Sequence, residues 1–318
     1  MSRKWPGGCC PSSRRSSRSA PPEPEAVSDV ALALGGGGAR GIAHIHVLEA
    51  LDELGVVPSR IVGSSIGAVM AAGYAAGMSG ADIRGFALET FARKREVLAG
   101  LWRTRPLSFK DFVEEGGFRL GQLNARRVLA AFLPADLPPH FEDLRIPLGV
   151  MATDFYERLE CEIDSGDLLS ALAASCALPA IFRPVRRKGR VLIDGGIFNP
   201  LPFDRLCDRA DIVIAVDVNG GPEGDGSGLP TPMEAMFGAT QLMMQSIIDT
   251  KLKLRAPDLL LRPPVDHYRV LDFLLTRQIL DETASFKEDA KRAIDRLLGE
   301  TPGYRPVAPK PEAGASTA

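Results

Sequence analysis

Short apolar runs alternate with stretches of helical periodicity along most of the chain. Val30-Ala31-Leu32-Ala33-Leu34 carries no polar interruption and is closed by Gly35-Gly36-Gly37-Gly38, the pattern of a strand buried on both faces. Ile42, Ile45, Leu48 and Leu51 then recur at helical spacing from Gly41 to Leu54, and Gly55 ends the run. Arg60-Ile61-Val62-Gly63 reads as a second strand, followed by Ser65 to Ala76, a helix of small residues that must pack closely against a neighbour. Strand, helix, strand, helix in short order predicts an α/β fold with parallel strands and right-handed crossovers. Further strands are expected at Leu148–Met151, Leu159–Ile163, Val191–Ile193, Ile212–Val216 and Leu259–Leu261. Helices are expected at Leu168–Cys176, about Met233–Leu254 and Ala284–Leu298. Between Ile83 and Pro139 the chain is more charged and weakly periodic, with one helix expected at Leu123–Leu133. That region is expected to cap or line a site.

Composition narrows the class. Hydrophobic residues make up 45% and charged residues 25% of the 318, enough to bury a full core. A formal net charge of -2 gives no global attraction to nucleic acid. Cys161, Cys176 and Cys207 lie in apolar surroundings and read as reduced thiols, which points to a cytoplasmic setting. No run is long and apolar enough for a membrane span. Residues 1–27 are basic, then rich in Pro and Ser, without the apolar run of a signal peptide; a disordered leader is expected there. Cys9-Cys10 is not preceded by a lipidation signal. One domain is expected over residues 28–300, and a disordered tail over 301–318.

Three glycine-containing motifs carry candidate chemistry. The first, Gly35 to Gly41, lies between strand and helix, where bare backbone N–H groups and a helix start can hold an anion. Residues 36–41 also match the dinucleotide fingerprint, but the following strand ends in Gly63-Ser64-Ser65 rather than in the acid that would hold a ribose. The second, Gly63-Ser64-Ser65-Ile66-Gly67, fits the sharp strand-to-helix turn that presents a nucleophilic serine, or else a plain Gly/Ser turn. The third, Asp194-Gly195-Gly196, would place a carboxylate at the carboxyl end of a parallel strand; alone it also reads as a turn. A serine nucleophile needs a base. Of His44, His46, His140 and His267, only His267 follows Asp194 in the order an α/β-hydrolase triad requires. A Ser-Asp pair fits the chain better than a triad through His267.

Taken together and in this order, the motifs resemble those of the patatin-like phospholipase family, in its bacterial branch similar to neuropathy target esterase. Ala43-His44-Ile45, Val47-Leu48 and Ala173 to Phe182 extend the resemblance, which runs roughly from Val30 to Val218. It implies a three-layer α/β/α fold with a mostly parallel central sheet. It also implies that Ser65 and Asp194 are a catalytic dyad, with Gly63 and Gly67 shaping the turn at Ser65 and Gly195 and Gly196 following the aspartate. Gly36, Gly37, Gly38, Arg40 and Gly41 would form the oxyanion hole, with the N–H groups of Gly37 and Gly38 as its donors. No metal or cofactor is implied. The substrate would be a phospholipid, lysophospholipid or other fatty-acyl ester, met through peripheral membrane contact at the inner face. The rivals are a binding module that keeps the fold without catalysis and a dinucleotide-dependent oxidoreductase. Met233, Met236, Phe237, Leu242, Met243, Met244, Ile247 and Ile248 give one helix broad apolar coverage. That helix reads as core, or alternatively as a lid over an acyl channel.

Overall fold

The computed structural model describes residues 29–92, 123–222 and 228–301. The expected leader, nearly all of the expected tail, and much of the stretch expected to cap the site (93–122) lie outside the described residues. The strands are β1 (Val30–Leu34), β2 (Arg60–Ser64), β3 (Leu148–Asp154), β4 (Leu159–Ile163), β5 (Val185–Arg187), β6 (Arg190–Asp194), β7 (Ile212–Val216) and β8 (Leu259–Leu261). The helices are α1 (His44–Leu54), α2 (Ile66–Ala75), α3 (Gly80–Ala92), α4 (Ala125–Phe132), α5 (Leu168–Ser175), α6 (Pro232–Leu254), α7 (Thr276–Glu282) and α8 (Ser285–Glu300).

One sheet has the order β5-β6-β3-β2-β1-β7-β8, with β4 also paired to β3. The run β3-β2-β1-β7-β8 is parallel. The other pairings are antiparallel, β4 and β6 to β3 and β5 to β6. The sheet is therefore mixed, and Asp194 ends an antiparallel strand rather than the parallel one expected. The cause is local. Only residues 155–158 separate β3 from β4, and only 188–189 separate β5 from β6. Such short links cannot hold a crossover. Lys188 (φ 47°) and Gly189 (φ 80°) are both left-handed, as the tight hairpin between β5 and β6 demands.

Alternate residues of β1 feed two cores. Val30, Leu32 and Leu34 pack with Ile45, Leu48, Ala71, Leu172 and Ile294, from α1, α2, α5 and α8. Ala31 and Ala33 face the other way, with Phe203, Leu206 and Ile248 of α6. Covering on both faces is what permits an unbroken apolar strand.

Several elements differ from the sequence expectation. A 3-10 segment, Gly38–Ala43, precedes α1 and takes over the start expected at Gly41. α3 forms where the periodicity is weak, because Ile83 and Ala87 suffice as buried contacts one turn apart. The expected core helix α6 lies on the surface. Among its described side chains Ile248 is buried, whereas Met236, Leu242, Met243 and Leu254 are exposed. Among the described residues no helix is long and apolar enough to cross a membrane.

Candidate active site

At the end of β2 the chain turns abruptly into α2, and Ser65 sits on the turn with φ 52° and ψ -123°. A non-glycine residue held there carries strain on the order of 1–3 kcal/mol, so the surroundings must impose it. Gly67 supplies one constraint: a Cβ there would lie 2.2 Å from Leu34 O, so only glycine lets α2 come this close to β1. Ser175, wholly buried at the end of α5, supplies another. Its Oγ accepts the Ser65 N–H at 2.9 Å.

Asp194 arrives from the opposite direction. β2 pairs with β3 as far as Ser64, opposite Met151. β6 takes over at the next residue, with Asp194 opposite Ala152, while β4 occupies the other edge of β3 throughout this stretch. The carboxyl ends of β2 and β6 thus meet head-on along one edge of β3. Ser65 and Asp194, 129 residues apart in sequence, are joined there: Ser65 Oγ donates to Asp194 Oδ2 at 2.8 Å. Asp194 Oδ1 accepts the Gly196 N–H at 2.7 Å, and Thr153 Oγ1 donates to the Asp194 carbonyl at 2.9 Å. Gly195 packs against β3, since a Cβ there would meet Met151 O at 2.3 Å. The Asp194 carboxyl is 4% exposed. Burial raises its pKa from the ordinary 3.8 to about 6, against the lowering effect of the bonds from Ser65 and Gly196. A carboxyl raised to about 6 can exchange a proton close to neutral pH.

The glycine loop divides into donors that are used and donors that are open. Gly35 N–H donates to Val216 O, Gly36 N–H to Pro200 O and Ala39 N–H to Val270 O. The N–H groups of Gly37 and Gly38 meet no acceptor among the described residues. Gly36 borders the serine directly, its Cβ direction pointing 3.4 Å from Ser65 Cβ. Gly41 gives close packing instead, because a Cβ there would strike the Ile66 side chain at 2.3 Å. Arg40 departs from its expected place in an oxyanion hole. Its side chain is 1% exposed and its Nε donates to Gly37 O at 3.2 Å. With the Gln241 amide oriented to satisfy both ends, Arg40 Nη2 donates to Gln241 at 2.6 Å and Gln241 donates to Gly221 O at 3.0 Å. In a trans peptide C=O and N–H point opposite ways. By holding Gly37 O, Arg40 turns the Gly38 N–H away from itself.

His44 also supports this loop, with Nε2 donating to Gly35 O at 2.9 Å. Burial lowers its pKa to about 4, so the ring is neutral at pH 7. No histidine bonds to Ser65 or Asp194. His46 pairs with Thr283, and His267, at the surface, with Glu282. His267 is thus not brought to Ser65 or Asp194. Three neighbours escaped the sequence reading. Ser175 and Cys176 belong to the recognised Ala173–Phe182 stretch, where their only distinguishing mark is polarity beside a run of alanines. The Cys176 thiol lies against Ser65 and Asp194, and burial pushes its pKa up. Met244 of α6 places its Cε over Gly36 and Gly196, and no periodicity marks it off from the other methionines of that helix. A surface depression of about 340 Å³, lined by Arg60, Glu142, Arg145 and Asp164, lies at the opposite end of the sheet from Ser65. Among the described residues no group of three His, Cys, Asp or Glu side chains could hold a metal ion.

Comparison with known proteins finds relatives of one family. The family model for patatin-like phospholipases matches residues 32–206. An uncharacterised NTE family protein of Mycobacterium tuberculosis is 38% identical over 196 residues, covering 61% of this chain and 50% of that protein. Lysophospholipase NTE1 of Coccidioides immitis is 30% identical over 295 residues, covering 85% of this chain and 18% of its own length. Human patatin-like phospholipase domain-containing protein 6 is 29% identical over 281 residues, covering 79% of this chain and 19% of its own. The chain thus spans half of the mycobacterial relative and a much smaller part of the other two.

Proposed function

This chain belongs to the patatin-like phospholipase family, and on that premise we propose that it is a serine lipid acyl hydrolase with Ser65 as nucleophile and Asp194 as base. The observation that carries the proposal is the 2.8 Å hydrogen bond from Ser65 Oγ to a buried carboxylate at the meeting of two strand ends. The acyl hydrolase domain of the proposal is residues 28–300.

Asp194 takes the Ser65 proton as Oγ attacks the ester carbonyl. The carbonyl oxygen becomes negative, and the open N–H groups of Gly37 and Gly38 receive it. Asp194 returns the proton to the departing alcohol, leaving the acyl group on Ser65. Water then attacks the acyl-enzyme with Asp194 again as base, releasing a fatty acid and restoring Ser65. Met244 offers an apolar wall beside the scissile bond, consistent with a fatty-acyl chain. The substrate class is a phospholipid, a lysophospholipid or another fatty-acyl ester, and the relative described as a lysophospholipase favours the second. The proposed setting is cytoplasmic, at the inner face of the membrane, where the free Cys161, Cys176 and Cys207 stay reduced.

The test is mass spectrometry of products from a mixed lipid panel, with labelling of Ser65 by an organophosphonate. Wild type should release fatty acid and be labelled, and Ser65→Ala should do neither. A chain that binds lipid but neither turns over ester nor takes the label would be a binding module. Binding of NAD(P)H would favour the oxidoreductase.

A further inference from the structure

Beyond the site, β3 continues for three more residues and ends in an exposed hairpin. Phe155 is 54%, Tyr156 70% and Leu159 55% exposed. The two rings meet edge to face at 5.1 Å. Their presentation is rigid. The Asp154 carboxylate, buried beneath the turn, accepts the N–H groups of Tyr156 and Glu157 at 3.2 and 3.1 Å and pairs with Arg190 Nε at 2.6 Å. Large apolar side chains that a fold holds out into water mark a contact surface.

The exposed charges of the two hairpins are mostly positive. The β5–β6 hairpin lies alongside, because Phe155 N–H donates to Val191 O. It carries exposed Arg186, Lys188 and Arg190, and the first hairpin carries exposed Arg158; the exposed acids are Glu157 on the first hairpin and Glu142, which Lys188 faces. Arg158, Arg186 and Lys188 form no ion pair among the described residues. A chain of net charge -2 thus gathers cations at one edge. Aromatic and aliphatic side chains ringed by Lys and Arg match the headgroup region of an anionic bilayer, where rings sit at the interface and cations meet lipid phosphates.

We infer that the paired hairpins, through Phe155, Tyr156 and Leu159 with Arg158, Arg186 and Lys188, dock this protein on an anionic lipid surface. The direction of β3 supports the assignment. Asp194 stands opposite Ala152, and Phe155 lies three residues further along, roughly 10 Å at a rise of ~3.3 Å per residue. Docked by this edge, the protein would bring the Ser65 end of the sheet toward the membrane rather than away from it. The inference rests on the proposed lipid hydrolase for its purpose, but the binding can be measured without any turnover.

The experiment is flotation of the full chain with vesicles of phosphatidylcholine alone and with about one third phosphatidylglycerol. Soluble short-chain ester hydrolysis and thermal unfolding are followed in parallel. Wild type and Ser65→Ala should both float with anionic vesicles, less so in high salt. Phe155→Ser/Tyr156→Ser and Arg158→Glu/Arg186→Glu/Lys188→Glu should each bind at least about tenfold more weakly. Both should keep the unfolding temperature and the soluble-ester activity of wild type. Failure of wild type to bind either vesicle, or undiminished binding by both variants, overturns the docking surface while leaving the hydrolase untouched. Binding by wild type without turnover of any ester overturns the hydrolase and leaves the docking surface standing. A hairpin-dependent dimer in sedimentation, with no vesicle binding, would assign the edge to a second copy of the chain.

Discussion

Replacing Asp194 by Asn should abolish ester hydrolysis and at the same time stabilise the protein. Burial raises the carboxyl from 3.8 to about 6, so in the folded chain the ionised form is disfavoured by about 3 kcal/mol, at ~1.4 kcal/mol per pKa step. The folded state holds this proton more tightly than the unfolded one. Wild-type stability therefore falls as pH rises from 3.8 to about 6 and stays reduced above that. An amide carries no such charge at any pH, and it can still accept the Gly196 N–H and bond to Ser65 Oγ. The two proteins should unfold alike near pH 4, where the wild-type carboxyl is protonated. At pH 7.5 the variant should be more stable by about 3 kcal/mol, or roughly 5–10 °C in midpoint. Chemical denaturation at both pH values measures the gap, and turnover of a soluble ester at pH 7.5 measures the loss. General-base removal alone costs on the order of 10²–10⁴ in rate, and adding Ser65→Ala should cost little more, because the two groups act as a unit. A variant less stable than wild type at pH 7.5, or one that keeps most of its activity, would refute the assignment of Asp194 as a strained, buried base.

Three further outcomes are expected. The kcat/KM of wild type should rise with pH along a single ionisation near 6, since Asp194 accepts a proton only as the carboxylate; a flat profile from pH 5 to 8 would remove it from the proton transfer. Ser175→Ala leaves the Ser65 N–H without its acceptor and should lower stability by about 1–3 kcal/mol. It should also slow phosphonate labelling of Ser65, and unchanged labelling would show that the turn holds without it. Gln241→Ala should remove one of the bonds that hold Arg40 and so loosen the Gly37–Gly38 peptide, lowering kcat by about tenfold with little change in KM; a change confined to KM would mean that α6 serves substrate binding alone.

The elements with strong local signals were legible in the sequence. β1 and β7 are unbroken apolar runs whose limits coincide with the strands observed, because burial on both faces leaves no room for a polar residue. The turn around Ser65 was legible for a similar reason: Gly63 and Gly67 stand where a side chain would collide with α2 or β1, so the constraint is written in neighbouring positions. Apolar side chains that could be read either way were not. Met and Leu at helical spacing fit a core or a surface helix equally, and α6 is placed outside by its bonds to Arg40, Asn219 and Asp204, residues remote in sequence. Arg40 itself could have faced an oxyanion; its bonds include Gly37 O and Gln241, the latter two hundred residues away. The meeting of Ser65 with Asp194 belongs to the same class. Each motif fixes its own turn, but their 2.8 Å contact depends on β6 running antiparallel and stopping one residue past Ser64 along β3, a register that only the assembled sheet sets.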